Sequence, residues 1–419
     1  MPTRPLRFIQ LASAGVIAAL LTLGLAACGS PDPTPTSAPT ATPPPGATPT
    51  STPTEEELFE QQWQELIAQA QEEGEVVAGF ATGGGATFRP LLDIFEQEFG
   101  VKAIIPPGGR GSEVADRVLA EQSAGRYLVD AWTSGASTGA RMAAAGALDP
   151  VRDWLVRPEV LDESRWVGDR LYFIDPTQEF LLAYAVRFNP PYAIVNTDLV
   201  DPDSIKTHDD VLDPQWKGMI VVGEDPALGN ISSSTLARYY PSEAGREYLR
   251  RLYSDMDPVL VDSIRLFLDG LARGVYALGQ LPGQGGGMDA AVATLAQIGL
   301  PIAYVELDGF GEWTVGATNN LGVVKNPPNP SAATLLVNWL LSEEGWDARV
   351  RTIRENPDLP IGYTAAVPLV KSWSTDHLPP EQLIPEVGFY LPAADPTYVE
   401  TTAEARDWFK QMGEAAGWR

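Results

Sequence analysis

The chain has 419 residues, and its 55 Asp and Glu outnumber its 29 Lys and Arg, so the formal net charge is −26. This acidity opposes binding to nucleic acid and docking on anionic lipid, although it can also serve solubility alone. A single Cys and two His exclude internal disulfides, Cys-pair motifs and most Ser-His catalytic arrangements.

The N-terminal segment has the pattern of an export signal. Arg4 and Arg7 precede an almost wholly apolar run that ends in small residues before Cys28. The stretch "LAACG" also resembles the bacterial lipobox, in which the Cys becomes the lipidated N-terminus. We therefore interpret residues 1–27 as a lipoprotein signal peptide and Cys28 as the lipidation site. An uncleaved membrane anchor is the alternative, because the run is nearly long enough to span a bilayer.

The next segment is predicted to be a disordered linker. Residues 29–54 are rich in Pro and Thr and contain no aromatic residue and no apolar residue larger than Ala. Such a segment cannot bury enough surface to fold, so we expect it to stay extended and solvated. Polyproline geometry, with a rise of about 3.1 Å per residue, would let it reach up to roughly 80 Å from a membrane. Residues 28–54 would thus tether a folded domain, residues 55–419.

Strand and helix patterns alternate three times from residue 74 onwards. The runs "GEVVAGFA", "VKAIIP" and "YLVDAWT" have strand character. Each is followed by a run with apolar side chains at helical spacing, as between Phe88 and Phe99, where Gly100 ends the helix. Ser112 is the expected N-cap of the second helix. This alternation predicts an α/β fold with parallel strands joined by right-handed crossovers.

Each of these strands is followed by a turn rich in Gly and hydroxyl residues, and each turn opens a helix. In open α/β sheets, ligands bind at the carboxyl ends of the strands, where helix N-termini offer free N–H groups. Glycine also lets a ligand approach the backbone closely. Tight turns need Gly in any case, so loop geometry alone is the alternative for each. The three turns predict a ligand-binding site that includes Thr82, Gly83, Gly84, Gly85, Arg110, Ser112, Ser134 and Gly135.

The second half repeats this pattern with different spacing. "MIVVG" and "GVYALG" are predicted strands, and each precedes a turn and a helix. A second α/β unit is therefore expected, with loop chemistry again the alternative reading of its turns. The candidate binding residues in these turns are Gly229, Asn230, Ser232, Ser233, Gln284 and Gly285.

The two His residues lie in polar stretches. His208 is in "IKTHDDV" and His377 is in "STDHLPP". Both are expected at the surface rather than as ligands of a metal or solute.

Four stretches resemble the extracellular solute-binding proteins of ABC importers (family 1), nearest to the ferric-iron-binding type. The similarity spans roughly residues 74–370 in the same order. It implies an α/β, two-lobed, periplasmic-binding-protein-like (type II) fold whose cleft closes on a ligand. The stretches are "GGRGSEVADRVLAEQSAGRYLVDAW", "YAVRFNPPYAIVNTDLV", "VLDPQWKGMI" and "NNLGVVKNPPNPSAATLLVNWLLSEEGW".

The resemblance also implies partners and a division of the chain. A small-molecule ligand and a membrane permease are the implied partners, with no nucleic acid, no cofactor and no catalytic residue. We expect a monomer, lipid-anchored on the outer face of the cell membrane. The implied parts are lobe 1 at about 74–185 and 315–355, lobe 2 at about 195–305, and crossings near 183–196 and 303–323, with the C-terminal part unassigned.

The contacts implied by the resemblance fall on the turn at 82–85, on Thr133, Ser134 and Gly135, and on the anion-holding turn at 229–233. The ferric-iron-binding relatives place adjacent Tyr residues directly after the strand that corresponds to "GVYALG". This chain has "QLP" there, and only Tyr276 lies within the predicted strand. Tyr276 is kept as a candidate contact, although packing is the expected role of both Tyr276 and Tyr184.

These observations predict the solute class. Up to five turns present backbone N–H groups, a geometry that favours negative charge, and Arg110 could pair with a phosphate or carboxylate or lie on the surface. Ferric iron prefers charged oxygen ligands, and the adjacent tyrosines are missing. We therefore predict a small anionic solute such as a phosphate ester, phosphonate or organic acid. Ferric iron with a synergistic anion is the runner-up, and a carboxylate-based hydrolase or a signalling receptor on the same cleft are further alternatives.

Overall fold

The structure is a computed structural model whose described residues all fall within one unit, Thr54–Arg419. Cys28 and the rest of the expected signal and tether up to residue 53 lie outside the described residues. The described ranges are 54–80, 86–107, 111–227, 231–282, 288–379, 382–384, 391–395 and 397–418.

The helices form where apolar side chains recur at helical spacing, and several have capping residues at their ends. Thr54 and Glu57 form a capping box at the start of α1, and Gly74 ends that helix in a left-handed conformation with φ of 79°. None of the described helices combines the length and apolarity needed to cross a bilayer. The helices are α1 (Glu55–Glu73), α2 (Arg89–Phe99), α3 (Gly111–Ser123), α4 (Ala136–Ala144), α5 (Pro158–Leu161), α6 (His208–Val211), α7 (Ser233–Tyr239), α8 (Glu243–Ser254), α9 (Ile264–Ala272), α10 (Met288–Gln297), α11 (Pro330–Leu340), α12 (Glu343–Glu355), α13 (Ile361–Thr364) and α14 (Tyr398–Ala415).

The strands are short apolar runs, most of them buried. They are β1 (Glu75–Phe80), β2 (Lys102–Ile104), β3 (Ala131–Thr133), β4 (Leu148–Asp149), β5 (Tyr172–Phe173), β6 (Leu182–Ala183), β7 (Ala185–Asn189), β8 (Tyr192–Asn196), β9 (Ile220–Val222), β10 (Val259–Leu260), β11 (Leu278–Gln280), β12 (Ile302–Glu306), β13 (Glu312–Thr314), β14 (Asn320–Val324) and β15 (Val367–Pro368).

The first sheet has the order β2-β1-β3-β14-β6-β5, with β4 paired to β14. Strand β1 is parallel to both β2 and β3, as the alternating pattern of the sequence predicts. Strand β14 is antiparallel to β3 and to β6, and the chain enters it from the other lobe. The helical spacing before Gly100 is confirmed, because Leu91, Leu92, Phe95 and Phe99 are all buried in the core of lobe 1.

The second sheet repeats this order as β10-β9-β11-β8-β12. Strands β10, β9 and β11 are parallel, and β8 is antiparallel to β11 and β12. Side chains alternate along the strands, so Val195 and Val222 enter one core cluster while Ile194 and Val221 enter the other. Each lobe therefore has three parallel strands followed by one antiparallel strand that arrives from the opposite lobe.

In the described part of the chain, strands β7 and β13 connect the lobes. Strand β7 leaves lobe 1, β13 returns from lobe 2, and the two pair antiparallel with Trp313 opposite Phe188. Strand β15 pairs with β7 as well, so a third segment joins the connection. The C-terminal part, which the sequence leaves unassigned, ends in α14, whose Ala405 and Phe409 are buried in the core of lobe 2.

These connections determine which way each sheet faces. Strand β14 begins directly after the crossing and runs antiparallel to β3, so β3 ends beside the crossing. Strand β8 likewise begins after the crossing and runs antiparallel to β11. The Gln280 side chain at the end of β11 donates to the carbonyl of Tyr192, 2.9 Å away, where β8 starts. The carboxyl ends of the parallel strands in both lobes are thus directed at the crossing strands, where α/β sheets bind ligands.

Two expectations about local structure are wrong. Helix α3 already begins at Gly111, so Ser112 is an exposed residue within its first turn and not the N-cap. His208 is not a surface residue: it lies on α6, is 7% exposed and meets the Tyr239 hydroxyl at 3.0 Å. Burial lowers the pKa of His208 to about 4, so the ring is neutral at physiological pH.

The prediction for His208 was wrong because the stretch "THDD" is polar. Thr207 and the acids of α6 cap the helix, and the imidazole of His208 points inward. The buried ring packs edge-on against Tyr248 and Phe310. His377 is half-buried, and its Nε2 meets the Ala366 carbonyl at 2.9 Å, so it too is held by the protein.

Candidate functional site

The lobe-1 side of the crossing is built around the end of β3. Thr133 donates its hydroxyl to the Ala317 carbonyl. The Ser134 N–H donates to Oδ1 of Asn320 (3.4 Å), and the Asn320 amide donates to the Ser134 carbonyl (2.7 Å). Thr133, Ser134 and Asn320 are buried. The hydrogen bonds of Thr133 and Ser134 therefore fasten β3 to the segment that re-enters lobe 1.

Ser134 has further partners inside the protein. Its Oγ accepts from the Trp132 indole (2.9 Å) and donates to the Gly135 carbonyl (3.2 Å). Gly135 is half-buried and is the N-cap of α4, in an extended conformation. Of the expected contacts at this turn, the Gly135 backbone is the one that lies nearest the surface.

A buried guanidinium, that of Arg349, also stabilises this region. Arg349 of α12 donates to the Tyr184 hydroxyl (3.1 Å), to Oδ1 of Asn319 (2.6 Å) and to the carbonyls of Thr318 and Tyr363. Its guanidinium carbon lies 4.1 Å from the centre of the Tyr363 ring. Tyr184 precedes β7 and Asn319 precedes β14, so this one side chain joins the strand that leaves lobe 1 to the strand that enters it.

The placement of Tyr184 agrees with a packing role. It is buried, and its hydroxyl donates to the Thr318 carbonyl at 2.8 Å. Burial raises the pKa of the Tyr184 phenol, which disfavours the phenolate form that ferric iron requires.

In lobe 2 the residue of greatest chemical interest is Glu224, two positions beyond the end of β9. It is 1% exposed. Its Oε1 accepts from the Ser232 N–H (3.1 Å) and from the Thr235 hydroxyl (2.9 Å). Its Oε2 is buried and has no hydrogen-bond partner among the described residues. Burial raises the pKa of Glu224 to about 7, although the Ser232 and Thr235 hydrogen bonds act in the opposite direction.

Arg238 and Glu312 join α7 to the crossing strands. The Arg238 Nη2 lies 3.8 Å from Oε1 of Glu312 and donates to the Asn189 carbonyl at 3.2 Å. The Asn189 amide donates to the same Glu312 oxygen, also at 3.2 Å. Burial raises the pKa of Glu312, and Nε of Arg238 is buried without a partner. We call Glu224, Arg238 and Glu312 the α7 charge cluster; it holds two carboxyl groups and one guanidinium.

The remaining expected contacts separate into three groups. Ser232 caps α7, since its Oγ accepts from the Thr235 N–H at 3.1 Å, and Ser233 is the first residue of that helix. Tyr276 precedes β11, at the opposite end from the crossing, and its ring lies where a side chain at Gly270 would need space. Thr82, Gly83, Gly84, Gly85, Arg110, Gly229, Asn230, Gln284 and Gly285 lie outside the described residues.

Glu224 was missed because the sequence reasoning followed Gly and hydroxyl residues. The available signal was an acid directly after the buried run "IVVG" at a carboxyl strand end. Arg238 and Glu312 gave no such signal, because 74 residues separate them along the chain. Within the described ranges, no group of three or more His, Cys, Asp or Glu could hold a metal ion.

The comparisons with known proteins agree with this architecture. No family model matches the sequence, and no curated protein matches it significantly. The substrate-binding protein of an ABC transporter from Agrobacterium tumefaciens matches with a TM-score of 0.50 and 13% identity, over 83% of this chain and 96% of that chain. This match shows the fold, so the expected two-lobed α/β architecture of periplasmic solute-binding proteins is confirmed.

Two further solved structures are similar at a lower level. AfuA from Actinobacillus pleuropneumoniae, a periplasmic binding protein with fructose-6-phosphate bound, has a TM-score of 0.49 and 15% identity, covering 82% of this chain and 97% of that chain. Iron-bound HitA from Pseudomonas aeruginosa has a TM-score of 0.49 and 18% identity, covering 81% and 98%.

The raised pKa of Glu224 predicts a specific pH dependence of stability. Between about pH 4.5 and 7 the folded protein keeps the proton of Glu224 while the unfolded chain releases it, so the free energy of unfolding falls as pH rises. The loss amounts to about 3 kcal/mol for a shift of this size. Glu224→Gln should lack this loss, and urea unfolding of wild type and variant at pH 5 and pH 8 measures it. Glu247→Gln, at an exposed acid of α8, should behave like wild type. Parallel pH profiles for wild type and Glu224→Gln would contradict the assignment.

Proposed function

We propose that this protein is the lipid-anchored, extracytoplasmic substrate-binding component of an ABC importer and captures a small anionic solute in the cleft between its lobes. The observation that carries the proposal is the direction of the two sheets. Both point the carboxyl ends of their parallel strands at the crossing strands, which is where α/β sheets bind ligands. The fold shared with an ABC-transporter substrate-binding protein supports the importer role.

We assign the anionic group of the solute to the lobe-1 side. In the α7 charge cluster the guanidinium of Arg238 already faces Glu312 and the Asn189 carbonyl, and Glu224 adds a second acid, so the cluster is a poor place for the anionic group of the solute. In lobe 1 the sequence predicts binding turns at 82–85 and 108–112, with Arg110, and the described start of α4 follows Gly135. Thr133 and Ser134 are not counted among the contacts, because their hydroxyls are engaged by Ala317, Trp132 and Gly135.

Ferric iron with a synergistic anion is the runner-up, and neither Tyr184 nor Tyr276 favours it. Tyr184 is buried with a raised phenol pKa, and Tyr276 lies at the end of β11 that is remote from the crossing. The protein therefore offers a phenolate ligand at neither position.

The solute class is tested by releasing bound small molecules from purified protein by denaturation and identifying them by mass spectrometry. Calorimetry with glycerol 3-phosphate, a phosphonate, citrate and ferric citrate then ranks the candidates. We expect binding of an organic anion, and Arg110→Ala should weaken it severalfold or more. Tight iron uptake with a visible tyrosinate charge-transfer band, and no anion binding, would contradict the proposal.

The lipid anchor is tested separately, through Cys28. Cys28→Ala should abolish lipid attachment and leave the signal unprocessed, because the lipidated Cys is the first residue after cleavage. Radiolabelled fatty-acid incorporation and the mass of the mature protein measure this. A variant that matures and stays at the membrane like wild type would rule out Cys28 as the anchor point.

A further inference from the structure

The Glu224 side chain is fixed at the edge of the second sheet that faces the crossing. The residue follows β9 by two positions, and its carbonyl accepts from the Tyr253 hydroxyl at 2.8 Å. A Cβ at the preceding Gly223 would lie 2.4 Å from the Pro282 carbonyl oxygen, so glycine is required where the ends of β9 and β11 approach each other. The backbone that carries Glu224 is therefore held from two sides.

The two oxygens of Glu224 have different surroundings. Oε1 is engaged by two donors from the start of α7, the Ser232 N–H and the Thr235 hydroxyl. Oε2 is equally buried and has no hydrogen-bond partner in the part of the chain that the structure describes. A buried oxygen without a partner destabilises the folded protein. Packing and helix capping account for Oε1 but leave Oε2 without a role.

The charges around Glu224 favour a donor at Oε2. Arg238, the cation that lowers the pKa of Glu224, is already directed at Glu312 and the Asn189 carbonyl. Glu312, on the crossing strand, is offset by Arg238 and by Arg187 of β7, and Asp225 adds an acid beside Glu224. Tyr239 and His208 face Arg238 and carry no charge at neutral pH, since burial raises the pKa of Tyr239 to about 12 and lowers that of His208 to about 4. At pH 7.5, above the pKa of about 7, Glu224 is mainly ionised, so an acceptor or anion at Oε2 would be repelled, whereas a hydroxyl or ammonium group would be attracted.

We propose that Oε2 of Glu224 accepts a hydrogen bond from a hydroxyl or ammonium group of the solute. The solute is then an anionic compound that also carries such a donor: its anionic group binds lobe 1 and its donor group binds lobe 2. This inference rests on the proposed function and deepens it, since it separates substituted phosphate esters, phosphonates and acids from simple oxyanions.

The test uses two pairs of probes with the full-length protein. Glycerol 3-phosphate and propyl phosphate differ by hydroxyl groups, and 2-aminoethylphosphonate and propylphosphonate differ by an amino group in place of a methyl group. In calorimetry at pH 7.5, the donor-bearing member of one pair should bind at least tenfold more tightly. A preference within the first pair identifies the donor group of the solute as a hydroxyl, and a preference within the second pair identifies it as an ammonium group.

Two variants assign the preference to Glu224. In Glu224→Gln the amide oxygen should face Ser232 and Thr235, which places the NH₂ donor where Oε2 was, so the preference should fall below threefold. Glu247→Gln removes an exposed carboxyl group of α8, outside the cluster, and should keep the wild-type preference. Circular dichroism and thermal unfolding verify that both variants fold.

The outcomes separate this inference from the proposed function. Probes that bind with no preference within either pair, or a preference that survives in Glu224→Gln, would overturn the role of Glu224 and leave anion capture intact. Failure of all four probes and of the wider anion panel to bind would overturn the proposed function and this inference with it.

Discussion

Each sheet of this protein is completed by a strand that arrives from the other lobe. Strand β14 lies between β3 and β6 of lobe 1, and β8 lies between β11 and β12 of lobe 2. Both are central and antiparallel to their parallel neighbours, so neither sheet is continuous without a chain crossing. This constraint alone turns the carboxyl ends of both sheets towards the same connecting strands, β7 and β13. Everything proposed about binding depends on that direction.

Buried polar groups hold the two ends of the connection. On the lobe-1 side, Arg349 joins Tyr184 and Asn319, and it has no carboxylate partner among the described residues. On the lobe-2 side, Arg238 joins α7 to Glu312 and Asn189. Apolar residues would be cheaper to bury, since desolvation of an ion costs several kcal/mol. These networks fix the strands where they enter each lobe, which confines bending to the short span between them.

Much of the fold was predictable from the sequence, because the spacing of apolar residues indicates which side chains are buried. The run around Leu91 and Phe95 gave α2, and the alternation of strand and helix gave the parallel strands β1, β2 and β3. The inward turn of His208 was not predictable, since its neighbours on α6 are polar and its partner Tyr239 lies 31 residues away.

The site was harder to predict because hydrogen bonding is decided by tertiary contacts. Thr133 and Ser134 are residue types typical of a ligand-binding turn, yet their hydroxyls are hydrogen-bonded to Ala317, Trp132 and Gly135. Glu224 would be expected from the sequence to be a solvated acid, yet the start of α7 covers it. The sequence indicates which residues lie at the carboxyl end of a strand. It does not indicate which of their polar atoms are already hydrogen-bonded to other parts of the protein.

The central claim is that the crossing strands form a hinge and that the lobes close on the solute. It is tested most directly by the distance between spin labels at Ala124 in lobe 1 and Ile298 in lobe 2, both exposed, in a Cys28→Ala background. The account predicts that the solute released by denaturation, added back at saturation, shortens this distance by several ångströms. Labels at Ala124 and Lys102, both in lobe 1, should keep their separation. An Ala124–Ile298 distance that does not change when the solute binds would contradict the account.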